Sequence, residues 1–234
     1  MESAPSDRRN EGGKGSVALT GATGFIGGAI AKRLADSGWS VKALVRDLAK
    51  ANSLARLGVE LVHGDLEDTA ALRSLLLGVQ AVVHCAGVVR GIDLEDFSRI
   101  NVAGAERLAS LAATMDPPPL FVALSSLAAR EPQLSHYAAS KREGEVALER
   151  FAGAMPLTIL RPPAVYGPGD KEMLPLLLMM MRQGIAPVLG SAAARFSMLY
   201  VEDLAAAIEQ SLVVGDSGRG VFALHDGRAG GYTW

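Results

Sequence analysis

The sequence predicts an α/β protein with a Rossmann-type, doubly wound parallel sheet. Short apolar or β-branched runs alternate along the chain with longer segments of helical periodicity. Most of the short runs are continuously apolar, which is typical of parallel strands that helices cover on both faces. A glycine-rich turn follows the first run and opens the first helical segment, as in a dinucleotide-binding βαβ unit. Because parallel strands need right-handed crossovers, the alternation indicates one doubly wound sheet.

The elements follow in a regular order up to Arg161. Strands are predicted at residues 16–20, 40–45, 59–63, 80–84, 119–125 and 157–161. Helices between them are predicted at residues 24–37, 47–57, 67–77, 94–114 and 136–152. The alternation then loosens into the loop "RPPAVYGPGD", followed by a Met-rich helix. Later elements are predicted as a strand near 196–200, a helix at 202–213 and a strand at 220–224.

Three regions follow from this order. Residues 1–15 are polar and predict a disordered tail. Residues 16–165 are expected to form an NAD(P)-binding Rossmann core, and residues 166–234 a partial substrate-binding region that returns to the core. The last residues, "GGYTW", end abruptly, so we expect a small, truncated C-terminal substrate lobe.

Composition narrows the class of protein. A chain of 234 residues, 49% of them hydrophobic, is long enough to bury a large core without the support of disulfide bonds or metal ions. Its net charge of −2 predicts no nucleic-acid partner, and its longest apolar run, "MLPLLLMMM", is shorter than the ~20 residues of a membrane span. A single cysteine, Cys85, fits a reducing compartment, and the four histidines lack ligand spacing. We expect a cytoplasmic protein with a small-molecule substrate, no metal and no membrane partner.

The stretch "VALTGATGFIGG" predicts a dinucleotide site. Gly21, Gly24 and Gly27 follow at three-residue intervals where the first strand turns into the first helix. Glycines there permit a tight turn and a close approach of backbone to a pyrophosphate, and the helix N-terminus attracts anions. A G-x-x-G-x-x-G match alone also fits an ordinary strand–helix turn. Its position in the first βαβ unit favours dinucleotide binding.

The end of the second strand, "VKALVRD", favours NADP over NAD. An acidic residue there bonds the ribose of NAD, whereas an arginine accommodates the 2′-phosphate of NADP. Val45 occupies the expected acidic position and Arg46 follows it. A guanidinium is well shaped for a phosphate. The alternative is that Arg46 pairs with Asp47 or caps the second helix.

A second group of polar residues lies in "LSSLAAREPQLSHYAASK". Ser125 and Ser126 end the fifth strand, at the carboxyl edge where ligands bind in open α/β sheets. Tyr137 and Lys141 are four residues apart, so they share one face of a predicted helix. An ammonium beside a phenol lowers the phenol pKa, and such a tyrosine exchanges protons with a reacting oxygen. An isolated Y-x-x-x-K is more often a surface helix pair.

Taken together, the motifs resemble the extended branch of the short-chain dehydrogenase/reductase superfamily. They are, in order, "TGATGFIG", "HGDLED", "HCAG", "NVAGAERL", "LSS", "YAASK" and "RPPAVYGPGD". That branch contains nucleotide-sugar epimerases and dihydroflavonol-reductase-like enzymes. The resemblance covers residue 16 to the end of the chain and implies NAD(P)-dependent chemistry.

The resemblance implies a role for individual residues. Ser126 would be the catalytic serine, Tyr137 the acid/base, and Lys141 would bond the nicotinamide ribose and lower the tyrosine pKa. Asn101 would be a structural or relay residue. The remaining cofactor contacts would come from Gly21, Gly24, Phe25, Ile26 and Gly27 at the pyrophosphate, Asp65 and Leu66 at the adenine, Ala86 and Gly87 after strand four, and Pro162 and Val165 near the nicotinamide. The helices at 94–114 and 136–152 resemble those of the family's dimer interface.

One departure from the family pattern bears on the reaction. Leu127 and Ala128 follow Ser126 where a sugar-nucleotide dehydratase carries an Asp-Glu pair, so dehydration is disfavoured. The leading hypothesis is an NADP-dependent reductase or dehydrogenase of a carbonyl or alcohol substrate. The alternatives are a nucleotide-sugar epimerase with tightly bound NAD and a non-catalytic protein that senses a dinucleotide.

Overall fold

A single parallel sheet organises the molecule. The computed structural model describes residues 14–171, 173–185, 191 and 193–233. The sheet has seven strands, in the spatial order β10-β6-β5-β4-β1-β2-β3, and every pair in it is parallel. These strands are β1 (Ser16–Thr20), β2 (Ser40–Val45), β3 (Glu60–His63), β4 (Ala81–His84), β5 (Leu120–Leu124), β6 (Leu157–Arg161) and β10 (Gly220–Ala223). The predicted Rossmann-type fold class is confirmed.

Helices cover both faces of the sheet. One face carries α1 (Phe25–Asp36), α2 (Asn52–Arg56) and α8 (Val201–Val214). The other carries α3 (Thr69–Leu76), α5 (Ala105–Ala112) and α6 (His136–Glu149). The remaining elements are α4 (Leu94–Ser98), α7 (Met173–Arg182), the parallel pair β7 (Ala164–Tyr166) and β9 (Met198–Tyr200), and the antiparallel pair β8 (Arg195–Phe196) and β11 (Tyr232–Thr233).

Two apolar layers hold the helices to the sheet. Ile30 of α1 and Ile208 of α8 are fully buried on one side, and Leu72 and Leu108 are fully buried on the other. Strand β4 is buried at every position, which explains why its sequence is a continuous apolar run. Truncating one such side chain costs about 2–5 kcal/mol, so these layers fix the helix positions around the site.

The strand order reverses between β1 and β4. From β1 the chain builds outward through β2 and β3, then crosses back to form β4 next to β1. In register, Thr20 at the end of β1 is level with Leu44 of β2 and with His84 of β4. In open α/β sheets such a switch point opens a crevice at the carboxyl ends of the strands.

Several predicted boundaries are wrong in detail. The helix expected at 94–114 is α4, a π-helical stretch Arg99–Gly104 and α5 in succession. The helix expected at 47–57 is a 3-10 turn, Leu48–Ala51, followed by the short α2, and the strand expected near 196–200 is split between β8 and β9. Local side-chain bonds explain the first two: Asn101 in the π-helical stretch bonds the Val88 backbone, and Asp47 caps the 3-10 turn.

The predicted tail extends too far into the fold. Residues 1–13 lie outside the described part of the chain. The backbone of Lys14 donates to the Gly38 carbonyl at 3.2 Å, and the Gly15 carbonyl accepts from Ser40 at 2.9 Å. Both residues therefore belong to the folded domain, because the chain is already bonded beside β2.

The two helices expected at a dimer interface turn apolar side chains toward the sheet. Leu108 and Leu148 are buried there, whereas Val146 is exposed. A homodimer through this pair remains a prediction. None of the described helices combines the length and the apolar character that crossing a membrane requires.

Candidate active site

A cleft at the carboxyl ends of the strands gathers the predicted site residues. Its volume is about 1750 Å³, and it runs from the loop after β1 across the ends of β4 and β5. Within it lie Gly21, Gly24, Phe25, Ile26, Gly27, Arg46, Asp65, Leu66, Ala86, Gly87, Ser126, Tyr137, Lys141, Pro162 and Val165. The fold thus brings together residues from seven separate segments, while their individual roles remain predictions.

The glycine loop leaves no room for side chains. Gly21 has a φ of +77°, and a Cβ there would lie 2.7 Å from the Ala86 nitrogen. A Cβ on Gly27 would lie 2.0 Å from the Gly21 carbonyl oxygen. Gly24 precedes α1 without a side-chain cap, so the N-terminal amides of the helix face the cleft. The loop and the helix end fit a dinucleotide pyrophosphate.

Arg46 comes directly after β2 and lines the cleft. It is exposed, and no hydrogen bond or ion pair of its guanidinium is found within the described residues. Its neighbour Asp47 accepts from the Ala49 amide at 3.0 Å and lies 3.5 Å from the Lys50 ammonium. The alternative in which Arg46 pairs with Asp47 is therefore wrong, because Asp47 caps the following turn.

Asp65 and Leu66 form the wall of the cleft after β3. Asp65 Oδ1 accepts from the amides of Glu67 at 2.8 Å and Asp68 at 3.1 Å, which closes a tight turn. The next helix begins at Thr69 and is capped by Asp68, whose Oδ1 accepts from the Ala70 amide at 2.9 Å. The Leu66 carbonyl accepts from Arg107 at 2.6 Å and is thereby fixed in place.

Tyr137 and Ser126 lie at the opposite wall of the cleft. Ser126 follows β5 and accepts from the Ala128 amide at 3.2 Å. Tyr137 is half-buried at the start of α6, with Phe97 edge-on at 6.2 Å between ring centroids. Burial raises the pKa of Tyr137 above its ordinary value, and interaction with the Ser126 hydroxyl opposes this in part.

The expected lowering of the tyrosine pKa by Lys141 is wrong for this structure. The Lys141 ammonium donates to the Leu124 carbonyl at 2.8 Å. Burial lowers the pKa of Lys141, and electrostatic interactions with Cys85 and Glu145 oppose that change. Although Tyr137 and Lys141 share one helix face, Lys141 Nζ does not bond the phenol, because it donates to the Leu124 carbonyl of β5.

The comparisons with known proteins agree with this geometry. A sequence profile of the NAD dependent epimerase/dehydratase family matches residues 17–222. The chain belongs to that family. Its resemblance to extended short-chain dehydrogenases/reductases is thereby confirmed, and its cofactor is a nicotinamide dinucleotide.

Three similar proteins illustrate the range of this family. A ceramide reductase of Caulobacter vibrioides is 44% identical over 224 residues, which cover 94% of this chain and 68% of that protein. A UDP-glucose 4-epimerase of Vibrio cholerae is 27% identical over 91% of this chain and 71% of that protein. The Bordetella bronchiseptica enzyme WbmH, solved with NAD+, superposes with a TM-score of 0.77 at 23% identity, covering 91% of this chain and 76% of that one.

The family assignment makes this chain an NAD(P)-dependent oxidoreductase or epimerase. A buried polar residue, Asn101, lies in the π-helical stretch between α4 and α5. Asn101 bonds both the nitrogen and the carbonyl of Val88, at 2.9 and 3.0 Å, and also donates to the Ser140 hydroxyl. It therefore ties the loop after β4 to α6, which carries Tyr137 and Lys141.

Sequence reasoning missed Thr20 in this epimerase/dehydratase family member. Its hydroxyl lies 2.9 Å from His84 Nδ1 and accepts from the Ala86 amide at 3.2 Å. This bond joins the ends of β1 and β4 under the cofactor cleft. The sequence feature that could have indicated this role is that Thr20 is a hydroxyl residue at the end of an apolar strand, directly before Gly21.

His84 itself is a hydrogen-bonded histidine of the core. It is buried, and burial lowers its pKa to about 3. Burial also raises the pKa of the Cys85 thiol to about 12, so this thiol stays neutral. Within the described ranges, no group of three or more His, Cys, Asp or Glu side chains could hold a metal ion.

Sequence reasoning also missed Glu145 and Arg161. Both Arg161 Nε and Nη2 donate to the Glu145 carboxylate, at 2.8 and 2.5 Å. Their separation of 16 residues hides the pair in the sequence. Two sequence features could have indicated the pair: Glu145 follows Lys141 by one helical turn, and the next predicted strand ends in Arg161.

Proposed function

We propose that this chain is an NADP-dependent reductase that converts a carbonyl group of a small molecule into an alcohol. The observation that carries the proposal is the placement of Ser126 and Tyr137 in the same cleft as the glycine loop. A proton donor and a dinucleotide cradle in one crevice are the two parts that carbonyl reduction requires.

The residues of the cleft divide between holding the dinucleotide and the substrate. When bound, the dinucleotide supplies the hydride. Gly21, Gly24 and Gly27, with the backbone of Phe25 and Ile26, would hold its pyrophosphate, and Arg46 its 2′-phosphate. The other contacts would come from Asp65 and Leu66 at the adenine, Ala86 and Gly87 beneath the ring system, and Pro162 and Val165 at the nicotinamide.

Tyr137 and Ser126 would act on the substrate oxygen. Ser126 donates a hydrogen bond that orients the carbonyl, and Tyr137 delivers a proton to the oxygen as it becomes an alcohol. Because burial raises its pKa, the phenol keeps its proton at neutral pH, which is the form that a general acid requires. Lys141, an ammonium beside the cleft, would bond the nicotinamide ribose.

The similarity to a ceramide reductase supports a lipid-like substrate. At 44% identity over nearly the whole chain, that relative favours a carbonyl on a long-chain amide. The cleft carries exposed apolar side chains that could accept such a chain, Val89 at 59% and Leu134 at 75% exposure. The chain spans 68% of the length of that relative. A lipid-like substrate is therefore part of the proposal.

Epimerisation of a nucleotide-sugar is the second candidate. It is favoured by the similarity to a UDP-glucose 4-epimerase. The same serine and tyrosine would then serve a transient oxidation with tightly held NAD. The third hypothesis, a non-catalytic dinucleotide sensor, has less support because both Tyr137 and Lys141 are present.

Oxidation of NADPH with ketone analogues of ceramide tests the proposal. Tyr137→Phe should lower kcat/KM by about 100-fold or more, since general acid catalysis contributes about 10²–10⁴. Tyr166→Phe, which removes a hydroxyl from the β7 tyrosine whose ring contacts that of Tyr200 at 5.6 Å between centroids, should leave turnover unchanged. Retained NAD with no net NADPH oxidation would instead establish the epimerase, and an unaffected Tyr137→Phe enzyme would refute both.

A further inference from the structure

A buried carboxylate lies behind the proposed catalytic residues. Glu145 of α6 is 2% exposed and follows Lys141 by one helical turn. Its carboxylate accepts from the Ser125 hydroxyl at 2.5 Å, from two nitrogens of Arg161, and from Arg142 Nη1 at 3.0 Å. A carboxylate with this many charged and hydroxyl donors holds its charge, and its pKa is lowered accordingly.

Glu145 is linked to the groups that carry the chemistry. Ser125, its hydroxyl donor, lies between Leu124, whose carbonyl accepts from Lys141, and Ser126. The backbone nitrogen of Ser125 also donates to the Leu160 carbonyl at 2.8 Å. The end of β5 is therefore fixed by two bonds of Ser125: its hydroxyl donates to Glu145, and its backbone nitrogen donates to β6.

Glu145 and Lys141 both line one small cavity. Its volume is about 20 Å³, enough for one water molecule, and Asn101 and Ser125 also line it. Apolar side chains, among them Leu148 and Ile159, complete the lining, so the two charged groups share an environment of low polarity. An electrostatic interaction between them is strong in such a buried position.

Glu145 is the anion among the titratable groups around Lys141. From β4, His84 is neutral because its pKa is lowered to about 3, and Cys85 is neutral because its pKa is raised to about 12. From α6, the Tyr137 phenol is neutral because its pKa is raised. With the Cys85 thiol neutral, Glu145 supplies the negative charge near Lys141 that opposes the lowering of its pKa by burial.

We propose that Glu145 is a positioning residue for the reaction: it fixes the end of β5 through Ser125 and places a negative charge at the same small cavity as Lys141, whose Nζ donates to the Leu124 carbonyl. The expected effect of Glu145 on catalysis rests on the function proposed above. The expected effect of Glu145 on the Lys141 pKa does not, because it is measured in the cofactor-free protein.

The test compares Glu145→Gln with Glu149→Gln. Glu149 is an exposed carboxylate on the same helix, 3.7 Å from Arg142, and is a matched control. The Lys141 pKa is followed by carbon NMR of labelled lysine side chains in the cofactor-free protein, with Lys141→Arg assigning the signal. Glu145→Gln should lower that pKa by about one unit, the size of effect that a nearby charge exerts, and Glu149→Gln should not change it.

The pH profile of NADPH-dependent turnover provides a second readout. Because loss of the ammonium occurs as the pH rises, the alkaline limb of kcat/KM should move to lower pH in Glu145→Gln. An unchanged Lys141 pKa, or an equal change in both variants, would overturn the proposal. If Glu145→Gln lowers the Lys141 pKa as expected but neither the unmodified protein nor any variant oxidises NADPH, only the proposed function would be overturned.

Two further variants cover the case in which Glu145→Gln fails to fold. Glu145→Asp keeps the charge, so the Lys141 pKa should stay near that of the unmodified protein. Ser125→Ala removes the link to β5 and keeps the carboxylate, so kcat should fall several-fold with the alkaline limb unmoved. An unaltered kcat in Ser125→Ala, or a lowered Lys141 pKa in Glu145→Asp, would refute the positioning role.

Discussion

Lys141 shows at the scale of one residue why a motif does not determine its own electrostatics. The spacing of Tyr137 and Lys141 correctly places both on α6 and in one cleft. The expected lowering of the tyrosine pKa fails because Nζ donates to Leu124 on a neighbouring strand. That carbonyl is 17 residues away in the chain, so no local pattern indicates it.

Arg46 is the residue on which cofactor preference is expected to depend. Arg46→Ala should weaken NADPH binding by about 10- to 100-fold, since a charge-assisted bond contributes about 1.5–3 kcal/mol. NADH binding should be unaffected because NADH lacks the 2′-phosphate. Titration of the protein with each dinucleotide, followed by nicotinamide fluorescence, measures both affinities.

Lys50→Ala is the control for Arg46. Lys50 is a nearby exposed cation, and it already lies against Asp47. Its removal should change NADPH affinity less than threefold. Equal affinity of the unmodified protein for NADPH and NADH would contradict the assignment of NADP.

The glycine loop and α1 form the element for which the sequence was most informative. Three glycines after an apolar run predicted a turn that approaches other backbone closely, and Gly21 and Gly27 do so. The π-helical stretch between α4 and α5 was not predictable in the same way. It accommodates Asn101, whose side-chain partner Val88 lies in a loop 13 residues earlier.

Gly27→Ala and Gly28→Ala form a matched pair within α1. A methyl group on Gly27 would lie 2.0 Å from the Gly21 carbonyl oxygen, so the loop must distort. We expect at least a tenfold loss of dinucleotide affinity and a lowered free energy of unfolding. On Gly28 the methyl group would lie 3.6 Å from the Ala22 carbonyl oxygen, an ordinary contact.

Gly28→Ala should therefore leave binding intact. Its free energy of unfolding should be unchanged or raised by up to about 1 kcal/mol, because alanine is the better helix former. Dinucleotide titration and urea unfolding of both variants check the pair. Equal losses of affinity in the two variants would show that the close contact at Gly27 is not what the cofactor site requires.

At the scale of the whole molecule, Glu209 joins three distant segments. It lies on α8, and its carboxylate accepts from Lys14 at 2.8 Å and from Arg33 of α1 at 2.6 Å. The Lys14 ammonium and then the Arg33 guanidinium hold the pKa of Glu209 down to about 2, against the effect of burial. The N-terminal segment, the last turn of α1 and α8 are thereby held together.

This cluster predicts a particular loss of stability in acid. Because the folded-state pKa is lowered, the stabilisation is fully present above the ordinary glutamate value of 4.5 and is lost as the pH falls toward 2. Glu209→Gln should lower the free energy of unfolding at pH 7 by about 2 kcal/mol, given 1.36 kcal/mol for each pKa unit and half-exposed partners. Its stability should also depend less on pH between 5 and 2.

Urea unfolding at several pH values measures both effects. Glu60→Gln is the control, since Glu60 is an exposed carboxylate 3.4 Å from Lys42 and such pairs contribute little. A variant at Glu209 that matches the unmodified protein at pH 7 would contradict the role of the cluster.

The sequence by itself determined the alternation of strands and helices, the glycine turn and the motifs of the cleft. These are local in the chain, because apolar periodicity and backbone freedom act over a few residues. Only the tertiary structure decided that Lys141 bonds Leu124 and that Glu145 joins Ser125 to Arg161. It also decided that Thr20 ties β1 to β4. Such bonds depend on which strand ends lie side by side, and that order is set by packing of the whole sheet.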